Sequence, residues 1–179
     1  MYETVEYDRT EIVVKKMLQI RKAVQKDIDT IMQIYRKAQD FMIESGNPDQ
    51  WGHLYPQEKM IRKDIEAGIC HLIIDAEGVQ GVFALCKDDE PTYRVIEEGS
   101  WLNDQPYITI HRIASAGKAH GIFKYAADYC KNIYDNVRID THHKNLTMQR
   151  LIERNGFIKC GTIYLENGSP RIAYHWVKG

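Results

Sequence analysis

The chain has 179 residues, 44% of them hydrophobic and 27% charged, and its formal net charge is −1. That length suits one domain with a sizeable core, and the near-zero charge argues against a surface built for nucleic acid or anionic membrane. No apolar run reaches the roughly 18 residues that a membrane-spanning helix needs, and "MYETVEYDRTEIVVKK" has neither the basic start nor the apolar stretch of a secretory signal.

Residues 1–16 are charged and weakly patterned, an arm or an extra edge strand, so the domain proper is expected over 17–179. "MLQIRKA" (17–23) alternates like a strand, and "DIDTIMQIYRKAQDFM" (27–42) places Ile28, Ile31, Tyr35, Ala38 and Met42 at helical steps. "SGNPDQWG" (45–52) breaks that helix. Pro56 opens a shorter one, with Met60, Ile61 and Ile65 inward and Gly68 as its stop. "ICHLIID" and "VQGVFALCK" read as strands joined by "AEG". A polar stretch over 88–106 leads to the strand "YITIHRIA" (107–114), and the turn "GKAHGIF" (117–123) opens a helix whose buried side is expected to be Ile122, Ala126, Tyr129, Cys130 and Ile133. "VRIDTH" (137–142) is a strand and "NLTMQRLIERNG" (145–156) a helix capped by Asn145 and stopped by Gly156. Two strands around "ENGS" close the chain.

The order β, αα, βββ, α, β, α, ββ predicts an α/β (α+β) domain, a mixed sheet with helices on its faces. The last strand, "RIAYHWV", is expected at a sheet edge, where a second copy can pair to make a homodimer. Cys70, Cys86, Cys130 and Cys160 are widely spaced without a C-x-x-C, so they read as reduced core residues in a cytoplasmic protein.

The strand–turn–helix around "GKAHGIF" has the chemistry of an anion site. The first turn of a helix leaves backbone N–H groups without partners, and its dipole favours negative charge. Gly117 and Gly121 allow the positive φ angles that aim successive amides into one concavity, and Lys118 and Lys124 add charge. Neither G-x-x-x-x-G-K-[ST] nor G-x-G-x-x-G is present. On local physics alone, the alternative is a glycine-bearing αβ connection that binds nothing.

With these features the chain resembles the GNAT superfamily of N-acetyltransferases over residues 17–179. "KAHGIF" stands where that family has its pyrophosphate loop, [QR]-x-x-G-x-[GA]; "RIDTHHKNLTMQRLIERNGFIKCG" resembles its next unit, with an Asn before a helix and Gly-Phe after it; and the element order matches. The resemblance implies a mostly antiparallel sheet of about seven strands with a V-shaped splay, flanked by about four helices. It further implies acetyl-CoA as cosubstrate in the gap between strands 107–114 and 137–142. The amides of Lys118, Ala119, His120, Gly121, Ile122 and Phe123 would take its diphosphate. The backbone of Ile113, Ala114 and Ser115 would pair with the pantetheine, and Asn145 would touch that arm or hold a water. Lys118 stands where the motif prefers Gln or Arg, Phe123 replaces a small residue, and Ile152 occupies the position where the family often carries a tyrosine acid.

The activity implied is transfer of an acetyl group to a primary amine of a small molecule or peptide by direct attack. The alternative is a non-catalytic acetyl-CoA-binding sensor or interaction module on the same fold, motivated by Ile152. His111 and His142 are the candidates to take the amine's proton, since an unperturbed imidazole titrates near about 6.5; each also reads as a histidine hydrogen-bonded within the sheet. Trp51 and Tyr55 are candidates for an aromatic acceptor wall, with Glu44 or Asp49 beside a cationic amine, and read equally as packing between helices. No metal is expected, because the histidines lack H-x-x-x-H spacing and a C-x-x-C partner.

Overall fold

The alternating segments become seven strands: β1 (Gln19–Lys22), β2 (Cys70–Asp75), β3 (Gly78–Cys86), β4 (Ile108–Ser115), β5 (Asn136–Thr141), β6 (Ile158–Tyr164) and β7 (Pro170–Val177). The helices are α1 (Ile28–Glu44), α2 (Glu58–Glu66), α3 (Ile122–Ile133) and α4 (Leu146–Arg154). This is a computed structural model and describes residues 17–87 and 90–179; the arm expected over 1–16 lies outside the described residues. Among the described residues no helix is long and apolar enough to cross a membrane.

The strands form one sheet in the order β1-β2-β3-β4-β5-β7-β6, antiparallel throughout except between β4 and β5. Those two run parallel because α3 carries the chain back across the sheet between them. Their register contains only Ile108↔Val137 and Thr109↔Arg138. Beyond that point the strands diverge, which is the V-shaped splay the resemblance implies.

Alternation along the strands fills both faces. Leu72 and Val82 pack with Ile31, Tyr35 and Ile61 of α1 and α2, whereas Ile73 and Phe83 pack with Ile122, Ala126 and Cys130 of α3 and with Ile152 of α4. Two expectations are corrected. The buried side of α3 carries Phe123 and Ala127 beside the expected Ile122, Ala126 and Cys130, with Phe123 meeting Phe157 at 6.3 Å; Tyr129 is half-buried against Phe83, whereas Ile133, the last residue of the helix, is 46% exposed. The last strand, β7, is interior, because the β6–β7 hairpin folds inward so that β7 pairs with β5. The edge is therefore β6, and the backbone of Glu97 bridges part of it at Thr162.

The polar connection 90–107 supplies a third layer. Tyr93, Trp101 and Tyr107 pack over Ile163 and Ala173. Arg138 of β5 is sandwiched between the rings of Trp101 and Tyr107, at 4.0 and 3.8 Å, and its Nη2 donates to the Asn103 carbonyl at 2.8 Å. His175 lies beneath this layer, fully buried, with Nδ1 accepting from the Leu102 amide at 3.3 Å. Burial, and then Arg138, push its imidazole down to about 4. The folded protein therefore keeps His175 neutral between about pH 4 and the ordinary value of 6.5, where the unfolded chain binds a proton. Stability must fall as pH falls through that window. From pH 6.5 to about pH 5 the loss attributable to His175 is expected to be about 2 kcal/mol. His175→Asn keeps an acceptor for Leu102, and thermal melts of it should show a shallower pH slope than the parent; equal slopes would refute the assignment.

Candidate functional site

β4 ends at Ser115, and Ala116 donates its amide to the Gln80 carbonyl at 2.8 Å, the last link to the sheet. Gly117 then donates to Ser115 Oγ at 3.1 Å, and the helical ladder starts only where Tyr125 donates to the Gly121 carbonyl at 2.9 Å. No amide from Lys118 to Lys124 has an acceptor among the described residues. Gly121 caps α3 at φ 74°, a conformation that costs an L side chain strain, and a Cβ built there meets nothing within 4 Å. The loop thus opens outward, with Lys118 and His120 exposed. Phe123, where the family motif prefers a small residue, does not crowd it, because its ring is 5% exposed within the core.

β4 itself is irregular. Val82 faces Ala114 and Ala84 faces His111, so Phe83 faces two residues, and Arg112 adopts φ 50° at this bulge. Arg112 is held at both ends. Its carbonyl accepts from Tyr35 Oη at 2.9 Å, and its guanidinium donates to Asp64 Oδ2 at 2.9–3.0 Å and reaches Tyr55 Oη at 3.4 Å. On the side of β5, residues Ile110 to Ser115 have no strand partner, which leaves Ile113, Ala114 and Ser115 along the splay.

A cleft of about 620 Å³ fills that divergence, walled by Ile110–Ile113 of β4, by Ile139–Thr141 of β5 and by Trp51 and Tyr55. Trp51 stands 5.7 Å from the Tyr35 ring and 6.1 Å from Tyr55. His111 lines the cleft and His142 does not. His111 Nε2, enclosed from solvent, lies 3.3 Å from Glu90 Oε2, and Glu90 is held down at about 2 by the imidazole, then by Thr92. His142 is buried at the end of β5, with Nδ1 accepting from the Lys144 amide at 3.3 Å and its ring 4.3 Å from His143. Burial, then Arg171 and His143, push it down.

Asn145 lines the cleft and also caps α4, accepting from the Met148 amide at 3.1 Å and donating to Gln50 Oε1 at 2.9 Å. Beside it Lys144 pairs with Asp49 at 2.6 Å, so the segment before α2 is latched to the start of α4 across the cleft. Asp49 lines the cleft; Glu44 is exposed at the end of α1 and does not. Ile152 is fully buried in the core and faces away from the cleft.

Reading the sequence missed Glu90, Asp140 and Arg171. Asp140 accepts from Tyr93 Oη at 2.7 Å, and Arg171 approaches it to 4.0 Å. Glu90 had one local signal, since it accepts from Thr92 and caps the turn Pro91–Tyr93. Asp140 and Arg171 had none, because strand pairing over thirty residues of sequence brings them together. Among the described residues no group of His, Cys, Asp and Glu is arranged to hold a metal ion.

No family model and no curated protein matches the sequence. Solved structures do. An acetyltransferase of the GNAT family from Streptococcus agalactiae 2603 superposes with a TM-score of 0.80 and 31% identity over 90% of this chain and 96% of its own. One from Listeria monocytogenes 4b F2365 gives 0.67 and 20%, covering 89% and 94%. An acetyltransferase from Salmonella typhimurium, solved with its cofactor acetyl-CoA, shares the fold at 0.59 with 12% identity, covering 90% and 94%. The splayed sheet, the open loop after β4 and the identity to the streptococcal protein agree, and the chain belongs to the GNAT family of acetyltransferases.

Proposed function

We propose that the chain transfers the acetyl group of acetyl-CoA to a primary amine of a small molecule or peptide by direct attack. The observation that carries this is the run of acceptor-free amides from Lys118 to Lys124, opening beside the splay. A diphosphate satisfies such donors, and the empty space at Gly121 admits it. The backbone of Ile113, Ala114 and Ser115, without a strand partner on the side of β5, holds the pantetheine arm, with Asn145 across the cleft.

Acetyl-CoA supplies an acyl thioester whose leaving thiol has a reference pKa of about 8.5, so release needs less acid assistance than an alcohol would. That bears on Ile152, which has no proton to give. His111 takes the proton of the incoming amine, and Glu90 orients its ring and stabilises the cation that forms. Trp51 and Tyr55 form the acceptor's apolar wall. Holding both reactants in one cleft supplies much of the rate.

Gly121→Val is expected to weaken acetyl-CoA binding about tenfold or more, equivalent to about 1.4 kcal/mol, since a branched side chain occupies the diphosphate's space and is strained at φ 74°. Titration calorimetry checks this, and unchanged affinity in a folded variant would overturn the loop assignment. The second reading, a sensor that binds acetyl-CoA without turnover, is favoured by Ile152 alone. Mixing protein, acetyl-CoA and an amine panel while following free thiol separates the two. Either reading requires acetyl-CoA at 100 times its Kd to stabilise the fold by about 2.7 kcal/mol.

A further inference from the structure

Arg171 is a buried charge on the cleft wall without a close counterion. It is 6% exposed and lines the cleft at the start of β7. Nη1 is tied back, donating to Ser169 Oγ at 2.6 Å and to the Pro170 carbonyl at 2.9 Å. Nε stops 4.0 Å from Asp140 Oδ1, beyond hydrogen-bonding reach. Neither Nε nor Nη2 has an acceptor among the described residues, and neither is among the fully enclosed atoms that lack one, so this edge of the guanidinium faces the cleft. Asp140 is only a partial counterion, since its other oxygen accepts from Tyr93. Tyr55 and His142 are the other titratable groups close enough to act on Arg171 or to be acted on by it. Arg112, the second guanidinium of the cleft, differs: Asp64 meets it at 2.9 Å.

A desolvated guanidinium with a free planar edge is matched to a carboxylate, which accepts two parallel N–H bonds. The same cleft carries the opposite demand at Glu90, whose carboxylate beside His111 favours an ammonium. Trp51, Tyr55 and Met60 supply apolar surface on the remaining wall. We infer that the acceptor is an amino acid, its carboxylate on the free edge of Arg171, its amine toward His111 and Glu90, and its side chain against Trp51 and Tyr55. The inference rests on the amine-acetylation reading above and narrows it. The ammonium gives one proton to His111, the amine nitrogen forms a bond to the acetyl carbon as the carbon–sulfur bond breaks, and the thiolate takes up a proton from the second N–H. The products are an N-acetylamino acid, coenzyme A and one proton released to solvent.

The test is thiol release with the protein L-amino acids as acceptors, each good substrate compared with its decarboxylated amine and its methyl ester, and with diamines. The wild-type protein should turn over the free amino acid with a kcat/KM about 10²-fold or more above the matched amine and ester. Arg171→Gln should collapse that ratio to within about tenfold, and Arg171→Lys, which keeps the charge without the fork, should fall between. Calorimetric titration of the best amino acid into the protein saturated with coenzyme A should show binding that the matched amine lacks. A wild-type preference for the amines, esters or diamines overturns the inference and leaves acetyl transfer standing, as does an unchanged ratio in a folded Arg171→Gln. If coenzyme A binds and no amine of any kind releases thiol, the acetyl-transfer reading falls and this inference falls with it.

Discussion

Replacing His111 with alanine is expected to lower kcat/KM for acetyl transfer by about 10²-fold, with acetyl-CoA affinity unchanged within about twofold. His111 is the histidine that lines the cleft, and its Nε2 is the atom that meets Glu90 at 3.3 Å. Glu90→Gln removes the charge that orients and stabilises the imidazolium, and should cost about tenfold. If Glu90 acts through His111, as proposed above, the double variant should be little worse than His111→Ala alone. His142→Ala is the control: its ring is enclosed against His143 outside the cleft, and turnover should stay within about threefold of the parent. Steady-state kinetics at fixed pH decide between them. Full activity in His111→Ala moves the proton acceptor elsewhere, and a large loss confined to His142→Ala moves it to that residue.

Asp64→Ala should destabilise the fold by about 3–5 kcal/mol, which in a chain of this size lowers Tm by roughly 6–20 °C. Asp64, near the end of α2, is 8% exposed and is the close counterion of Arg112, which the β4 bulge drives into the space between α2 and the cleft. Burial pushes the Asp64 carboxyl above its ordinary range, and Arg112 offsets only part of that. The pair therefore adds little net stability while both members are present. What is costly is leaving one charge alone in the same surroundings. Asp64→Leu with Arg112→Met, which removes both charges and keeps volume, should recover most of the loss. Chemical denaturation of the parent and both variants tests this. A cost below about 1 kcal/mol for Asp64→Ala would mean that the pair behaves as a solvated surface contact.

Much of the architecture was legible because it is local. The 3.6-residue stripe of α1, the alternation of β2 and β3, the Asn145 cap and the Gly121 turn are each set by side chains within a few positions of one another. Glycine at 117 and 121 needs no partner to permit a positive φ, so the opening before α3 could be read directly. The inner face of α3 is wider than its local stripe predicts, because Phe123 meets Phe157, thirty-four positions further along. The place of β7 was misread for a related reason. Nothing in "RIAYHWV" distinguishes a strand flanked on one side from one flanked on two, and the choice is made by which hairpin partner lies next to β5.

By itself the amino-acid order determined the sequence of elements, both faces of the sheet and the run of unsatisfied amides that suits a diphosphate. Only the tertiary structure decided which histidine enters the cleft, that Glu90 stands against it, and that Arg171 presents a free edge beside Asp140. The difference is one of range. Helix periods, caps and glycine turns are written within one or two turns of chain, whereas charge neutralisation depends on distances between strands and loops that folding alone brings together.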